Sequence, residues 1–125
     1  GVVMVTTPQD VALLDVRKAI GMFQRLNVPV LGIVENMSYF VAPDTGTRYH
    51  IFGEGGGRRV AEEYGVPLLA QLPLDPETRR GGDEGAPITV RRPESPQSQT
   101  FRELGARVIE RLEAVAALRP LPSIS

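Results

Sequence analysis

An apolar run from Val28 to Val34, broken only by Pro29 and Gly32, stops abruptly at Glu35, Asn36 and Ser38. A strand without polar alternation is buried on both faces, and in open parallel sheets ligands bind beyond the carboxyl ends of such strands. These three polar side chains are therefore expected on a ligand-facing edge. Asn36 has the most to offer there, because its amide presents a donor beside an acceptor, a pair that matches the N6 and N7 edge of adenine. Spacing leaves a second reading open, in which Asn36 only caps a turn.

A second candidate is the turn Pro73-Leu74-Asp75-Pro76, which follows a short apolar strand over Pro67–Leu72. The two prolines around Leu74 hold the chain extended, so its carbonyls are expected to remain available to a ligand; a plain strand-to-helix turn is the alternative. The cluster Gly53-Glu54-Gly55-Gly56-Gly57 suggests a phosphate cradle at a helix start. Arg58 breaks the dinucleotide fingerprint, however, and no Gly-Lys-Ser/Thr ending is present. The cluster reads better as a flexible hinge into a short helix that stops at Gly65.

No catalytic set emerges from the remaining residues. There is no cysteine and a single histidine, His50, which excludes disulfides, thiolate nucleophiles and multi-histidine metal centres. His50 lies between Tyr49 and Ile51 and reads as a surface or cross-strand residue. Arg58-Arg59 and Arg91-Arg92 read as solvated basic pairs, with phosphate binding the weaker alternative. Fourteen basic and fifteen acidic residues are mixed along the chain, so neither a nucleic-acid footprint nor an acidic tail is expected. No apolar run approaches the roughly 20 residues of a membrane span, and no secretory leader is recognisable. The expected location is cytoplasmic.

The elements that must position these residues can be read from periodicity. At 125 residues the chain is one α/β domain by length. Val2–Thr7 reads as a buried strand that begins directly after Gly1, as if cut from a larger domain. A helix over about Val11–Leu26 follows, with Asp10 available to cap it and Leu13, Val16, Ile20 and Phe23 as its core stripe. Asn27 suits its end, and Val30–Val34 completes a βαβ unit. Ala42-Pro43-Asp44-Thr45-Gly46 separates two short β-like arms, predicting a small hairpin excursion over about 38–52 with Gly46 supplying a positive φ. Glu77–Arg80 reads as a brief helical turn and Gly81–Pro87 as an exposed loop. Ser95 and Pro96 open a last helix whose stripe of Phe101, Leu104, Val108, Ile109, Leu112 and Val115 faces the sheet. Residues 119–125 are expected to be a disordered tail.

Taken together, Val5-Thr6-Thr7-Pro8-Gln9-Asp10-Val11-Ala12-Leu13-Leu14-Asp15, Gly32-Ile33-Val34-Glu35-Asn36-Met37-Ser38, Ile51-Phe52-Gly53-Glu54-Gly55-Gly56-Gly57 and Leu72-Pro73-Leu74-Asp75-Pro76 closely resemble the Mrp/ApbC family. These are P-loop ATPases of the MinD-like deviant Walker group that act as iron-sulfur cluster carriers. The resemblance runs in register from Val2 to about Ile88. It implies the second half of a three-layer, parallel-sheet P-loop NTPase fold over residues 1–118, with the phosphate loop, its lysines and the magnesium-binding aspartates in a missing amino-terminal half. ATP is the implied cofactor. Asn36 becomes the adenine reader, and Pro73, Leu74 and Asp75 line the base. Relatives dimerise face to face around two ATP molecules, which places Gln9 near the partner's nucleotide and pairs Asp15 with the partner's signature lysine.

One departure matters. The family's hairpin carries Cys-Pro-x-Cys-Gly, and two such pairs bridge a cluster across the dimer. Here Ala42-Pro43-Asp44-Thr45-Gly46 keeps the proline and glycine of the turn and loses both thiolates. Asp44 offers a hard oxygen, which does not replace cysteine at an iron-sulfur site. Three functions follow as alternatives: an ATPase half serving iron-sulfur cluster assembly or transfer to acceptor apoproteins, a regulatory or scaffolding ATPase that dimerises without a cluster, or a non-enzymatic fragment.

Overall fold

The structure is a computed structural model that describes residues 1–118; the tail expected at 119–125 lies outside the described residues. The elements in chain order are β1 (Val2–Thr6), α1 (Asp10–Arg25), β2 (Val30–Glu35), β3 (Phe40–Val41), β4 (Arg48–Tyr49), α2 (Gly56–Tyr64), β5 (Leu68–Gln71), α3 (Pro76–Glu84), α4 (Ile88–Arg91) and α5 (Pro96–Leu118). β1, β2 and β5 form a parallel sheet in that spatial order, with β2 in the centre. β3 and β4 pair antiparallel as the hairpin, Phe40 opposite Tyr49.

The lack of polar alternation in β2 ahead of Glu35 follows from burial on both faces. Ile33 points to one side, where it meets Leu13, Val16 and Ile20 of α1 and Val60 and Ala61 of α2. Val34 points to the other, among Leu69, Ala70 and Leu72, under Phe101, Leu104 and Val108 of α5. The result is a three-layer α/β arrangement in which alternate residues of one strand belong to different cores. Gly32 is required by this crowding: a Cβ there would lie 2.5 Å from Leu69 Cγ and 2.7 Å from the Pro67 carbonyl.

Several details depart from expectation. β1 is only half-buried and Val5 is 58% exposed, because β1 is an edge strand of the described sheet with one neighbour. Asp10 is the first residue of α1 and does not cap it; Gln9 holds the cap position without a side-chain bond, and the Asp10 charge instead faces the positive helix end. The carboxyl end of α1 closes as expected at Asn27, with φ 56°. There Val28 N–H donates to Phe23 O and Asn27 N–H to Gln24 O, a Schellman closure. Gly81–Glu84, expected in a loop, continue α3. Asp75 caps that helix, Arg79 pairs with Asp83 and Arg80 with Glu77 along it, and Gly81 is pressed against the Ala86 carbonyl, 2.6 Å from a would-be Cβ.

The apolar stripe of α5 is covered only in part. Phe101, Leu104 and Val108 pack on the sheet, whereas Ile109 and Leu112 are 59% and 46% exposed. A helix of 23 residues runs about 34 Å, against about 20 Å for the longest strand, so α5 outruns the sheet. Arg107 and Arg111 reach back across this boundary to the carbonyls of Leu69 (2.6 Å) and Leu31 (2.9 Å).

The Gly32 environment yields a stability test. Gly32→Val is expected to lower stability by about 1–3 kcal/mol or more through overpacking, read as a fall in the thermal or urea midpoint. Gly21→Ala, where a Cβ meets nothing within 4 Å, serves as the control and is expected to leave the midpoint unchanged or raise it, because alanine is the better helix former.

Candidate functional site

The carboxyl ends of the three parallel strands make one edge, and backbone hydrogen bonds carry the pairing past the strand ends. Asn36 N–H donates to Thr6 O at 2.7 Å and Leu72 N–H to Glu35 O at 2.8 Å. Ser38 N–H then donates to Leu72 O at 2.9 Å and Leu74 N–H to Tyr39 O at 2.7 Å. The segments 36–39 and 72–74 are thus laced together beyond the sheet, which brings Asn36 and the Pro73–Asp75 turn to the same edge. Met37, between Asn36 and Ser38, takes a positive φ of 53°, a conformation uncommon for a side-chain-bearing residue. It turns the chain so that Asn36 is half-exposed while Ser38 is buried.

Glu35 does not join a ligand-facing edge. Its side chain is fully buried, and its carboxylate accepts from Ser38 Oγ at 2.6 Å and from Gly57 N–H at 2.6 Å, with Gln71 Nε2 at 3.5 Å. Gly57 lies in the first turn of α2, where backbone amides lack helical partners and the helix dipole favours an anion. The protein's own carboxylate therefore occupies the place that a phosphate would take at the glycine cluster. The cluster is also no flexible hinge. Gly56 and Gly57 are buried, and a Cβ would lie 2.7 Å from Leu13 Cδ1 at the first and 2.7 Å from Glu35 Oε2 at the second.

The predicted site residues are placed differently from one another. Asn36 Oδ1 accepts from Met37 N–H at 2.9 Å, which orients its amide. Asp75 is committed to α3, its carboxylate accepting from the Glu77 and Thr78 amides and from Thr78 Oγ1 at 2.6 Å. Its carbonyl is used by Arg79 N–H. Among the described residues, the carbonyls of Pro73 and Leu74 accept no protein hydrogen bond, so the expectation of available turn carbonyls holds at these two positions and fails at Asp75. Gln9 is exposed beside the first turn of α1, its Oε1 accepting from Thr7 Oγ1 at 3.1 Å. Asp15 is exposed on α1, away from the Asn36 edge in sequence but on the helix that Gln9 opens.

A cleft of about 430 Å³ opens beside the turn. Pro73, Leu74, Asp75 and Pro76 form one wall, the hairpin side contributes Tyr39 and Arg48, and Gln97 stands at the start of α5. Arg48 lies over the Tyr39 ring with 4.1 Å from guanidinium carbon to ring centroid, a cation–π contact. Asn36 does not line this cleft. Sequence reasoning missed the contribution of α5, since nothing local in Pro96–Thr100 announces that it meets a turn some twenty residues earlier in the chain. The hairpin tip is closed on itself: Asp44 Oδ1 accepts from Thr45 N–H and Thr45 Oγ1 donates to Thr47 Oγ1. His50 bonds the Ser38 carbonyl at 3.3 Å and lies 3.5 Å from Glu54, in keeping with a structural hairpin histidine. Arg59 donates to the Glu54 carbonyl, and Arg91 and Arg92 pair with Glu84 and Glu77.

Comparison with known proteins bears on this edge. A family model described as "ParA: NUBPL iron-transfer P-loop NTPase" matches residues 1–109. An iron-sulfur cluster carrier protein of Deinococcus radiodurans is 54% identical over 122 residues, covering 98% of this chain and 34% of the relative. The iron-sulfur cluster transfer protein NUBPL of Dictyostelium discoideum is 43% identical over 115 residues, 92% of this chain and 36% of the relative. The chain thus spans about a third of the length of these relatives. Among solved structures, a nucleotide-binding protein of Archaeoglobus fulgidus in complex with ADP superposes with a TM-score of 0.62 at 36% identity, over 79% of this chain and 40% of that one. The cell division ATPase MinD of Pyrococcus furiosus superposes with a TM-score of 0.68 at 29% identity, over 86% and 41%.

The carboxylate junction can be tested directly. Glu35→Ala leaves the buried Ser38 hydroxyl and Gly57 amide without their acceptor and is expected to cost about 3 kcal/mol or more. Glu35→Gln retains an acceptor for Gly57 N–H, and the Ser38 hydroxyl can rotate to accept from the new amide, so most of that loss is recovered. Urea unfolding of both variants checks the order; equal losses would show that bonding at this carboxylate is not what holds the edge.

Proposed function

The chain belongs to the NUBPL-type iron-transfer P-loop NTPase family, and on that premise we propose that it forms the base-binding side of the nucleotide site in an ATPase serving iron-sulfur cluster transfer. The observation that carries this reading is the lacing of 36–39 to 72–74, which supports a shared role for Asn36 and the turn. A purine entering this edge would meet the Asn36 amide, a donor beside an acceptor, and the carbonyls of Pro73 and Leu74, which accept from an exocyclic amine. Asp75 serves the site through the helix it caps, holding the turn in shape.

The sequence contains no Gly-Lys-Ser/Thr phosphate loop, and the one glycine-rich helix start is filled by Glu35. Among the described residues, no group of three or more carboxylates or histidines could hold a metal ion. Triphosphate and magnesium are therefore assigned to residues outside this sequence, and ATP hydrolysis to the longer protein. We assign Gln9, at the cap of α1, and Asp15, in its second turn, both exposed, to the face that meets a second copy when nucleotide is bound.

The cluster is cargo in this family, and the sequence supplies no thiolate for it. The hairpin is present, but Ala42 and Thr45 stand where soft ligands would be needed, and the tip hydroxyls are spent on each other. That observation favours a second reading, in which the hairpin presents nucleotide state to a protein partner without holding iron itself. No helix among the described residues is long and apolar enough to cross a membrane.

Two measurements on the full-length protein separate these readings. Asn36→Ala is expected to weaken ATP binding by about tenfold, or about 1.4 kcal/mol, at the low end of what a paired base contact contributes, in a calorimetric titration; unchanged affinity rejects the base-reading role. Anaerobic reconstitution with iron and sulfide, followed by metal analysis and visible absorption, is expected to leave this hairpin without a cluster. A stoichiometric cluster lost on mutating the hairpin would overturn the cluster-free reading.

A further inference from the structure

We infer that the base occupies the cleft between the hairpin and α5, and that Gln97 is a specificity-determining contact which reads it from the wall opposite the Pro73–Asp75 turn. The inference rests on the base-binding reading above and adds to it a location, a second wall and a reader. Three of the residues already assigned to the base, Pro73, Leu74 and Asp75, line this cleft, whereas Asn36 does not. A base resting against the turn from the cleft side needs a polar partner that Asn36 alone does not provide.

The polar groups of the cleft sort themselves by what they already bind. Asp75 is spent on the cap of α3. Thr100 Oγ1 donates to the Pro96 carbonyl at 3.0 Å. Arg48 lies over Tyr39. Gln97 is half-buried, lines the cleft and makes no side-chain hydrogen bond among the described residues. Its amide presents a donor and an acceptor side by side, the same complement to adenine that Asn36 offers. It is set on the first turn of a 23-residue helix, and the neighbouring Ser98 anchors that turn. Ser98 is fully buried and its hydroxyl is bonded to the carbonyls of Ile88 and Arg92, so Gln97 is held on a rigid support.

The size and lining of the cleft suit a heterocyclic base. About 430 Å³ falls in the range of small-molecule sites, and most of the lining is apolar, with Pro73, Pro76 and Pro96 supplying apolar ring faces. The Arg48 guanidinium, lying over the Tyr39 ring, offers a planar cationic surface on which a base can stack. The carbonyls of Pro73 and Leu74 accept from an exocyclic amine, which adenine has at this edge and guanine replaces with a carbonyl oxygen. Acceptors on the turn and an amide on α5 together favour adenine over guanine. Because Tyr39 bonds Leu74 through its carbonyl and leads into β3, an occupied cleft also touches the hairpin directly.

The test is a calorimetric titration of the full-length protein with magnesium ATP and magnesium GTP, in wild type and in the Asn36→Ala, Gln97→Ala and Gln97→Glu variants, with circular dichroism confirming the fold of each. Gln97→Ala is expected to weaken ATP binding by about tenfold and to leave GTP binding nearly unchanged, so discrimination narrows. Gln97→Glu, an acceptor only when ionised, is expected to move preference toward GTP, whose base offers ring and amine donors. Wild-type affinity and wild-type ATP-to-GTP ratio in both folded Gln97 variants would overturn the inference, while a loss in Asn36→Ala alone would leave the base site at the strand edge standing. A loss in the Gln97 variants without one in Asn36→Ala supports the cleft and removes Asn36 from it. No change in any variant rejects the base-binding reading together with the inference.

Discussion

Glu35 is the group on which the arrangement of this edge depends. A carboxylate removed completely from water is tolerated only where hydrogen bonds replace hydration. Here those bonds come from different parts of the chain: Ser38 just beyond β2, Gly57 at the start of α2, and Gln71 at the end of β5. Each donor is thereby fixed relative to the end of the central strand. The glycines complete the junction. Gly56 lies against the Pro8 carbonyl, 2.8 Å from a would-be Cβ, and Gly53 lies near the same atom, so the segment after the hairpin also rests on the turn that leads from β1 to Gln9.

One consequence is that the Asn36 edge and the hairpin are mechanically continuous. Asn36 sits between Glu35 and Met37, and the strained turn at Met37 delivers Ser38 back to the carboxylate. From Tyr39 onward the chain enters β3, with Leu74 bonded to the Tyr39 carbonyl and Arg48 returning over the Tyr39 ring. A ligand that presses on the Pro73–Asp75 turn therefore presses on a segment joined to the hairpin by a backbone hydrogen bond. In a family named for iron transfer, that linkage joins any ligand held against the turn to the hairpin.

The sequence was legible wherever a local pattern had one physical solution. The apolar run into Glu35 read as a strand buried on both faces and is one, Gly65 and Asn27 stopped their helices through left-handed closures, and Ser95 and Pro96 opened α5. Resemblance of separate motifs in the right order located the family. Patterns with two solutions went astray. Glu35 looked like an edge group because its neighbours in sequence are polar, and its burial comes from Gly57 and Gln71, distant in sequence. The glycine cluster looked flexible because glycine favours both loops and close approach, and only the positions of Leu13, Pro8 and Glu35 select the second. Gly81–Glu84 looked like a loop for the same reason, although the cap at Asp75 and the ion pairs along α3 outweigh two glycines in its last turns.

By itself, then, the sequence determined the order of the strands and of every helix except the short α4, the excursion after β2, the absence of any thiolate and the family to which these motifs belong, because each rests on periodicity, composition or a short motif. The tertiary structure decided which polar groups are spent and which remain to meet a ligand. Glu35 and Asp75 are both carboxylates beside the same edge, and both are consumed by helix amides. Asn36 and Gln97 are half-buried, and the carbonyls of Pro73 and Leu74 accept no protein hydrogen bond among the described residues. Whether a polar group is satisfied depends on partners brought from elsewhere in the chain, and that information exists only once the strands and helices have packed.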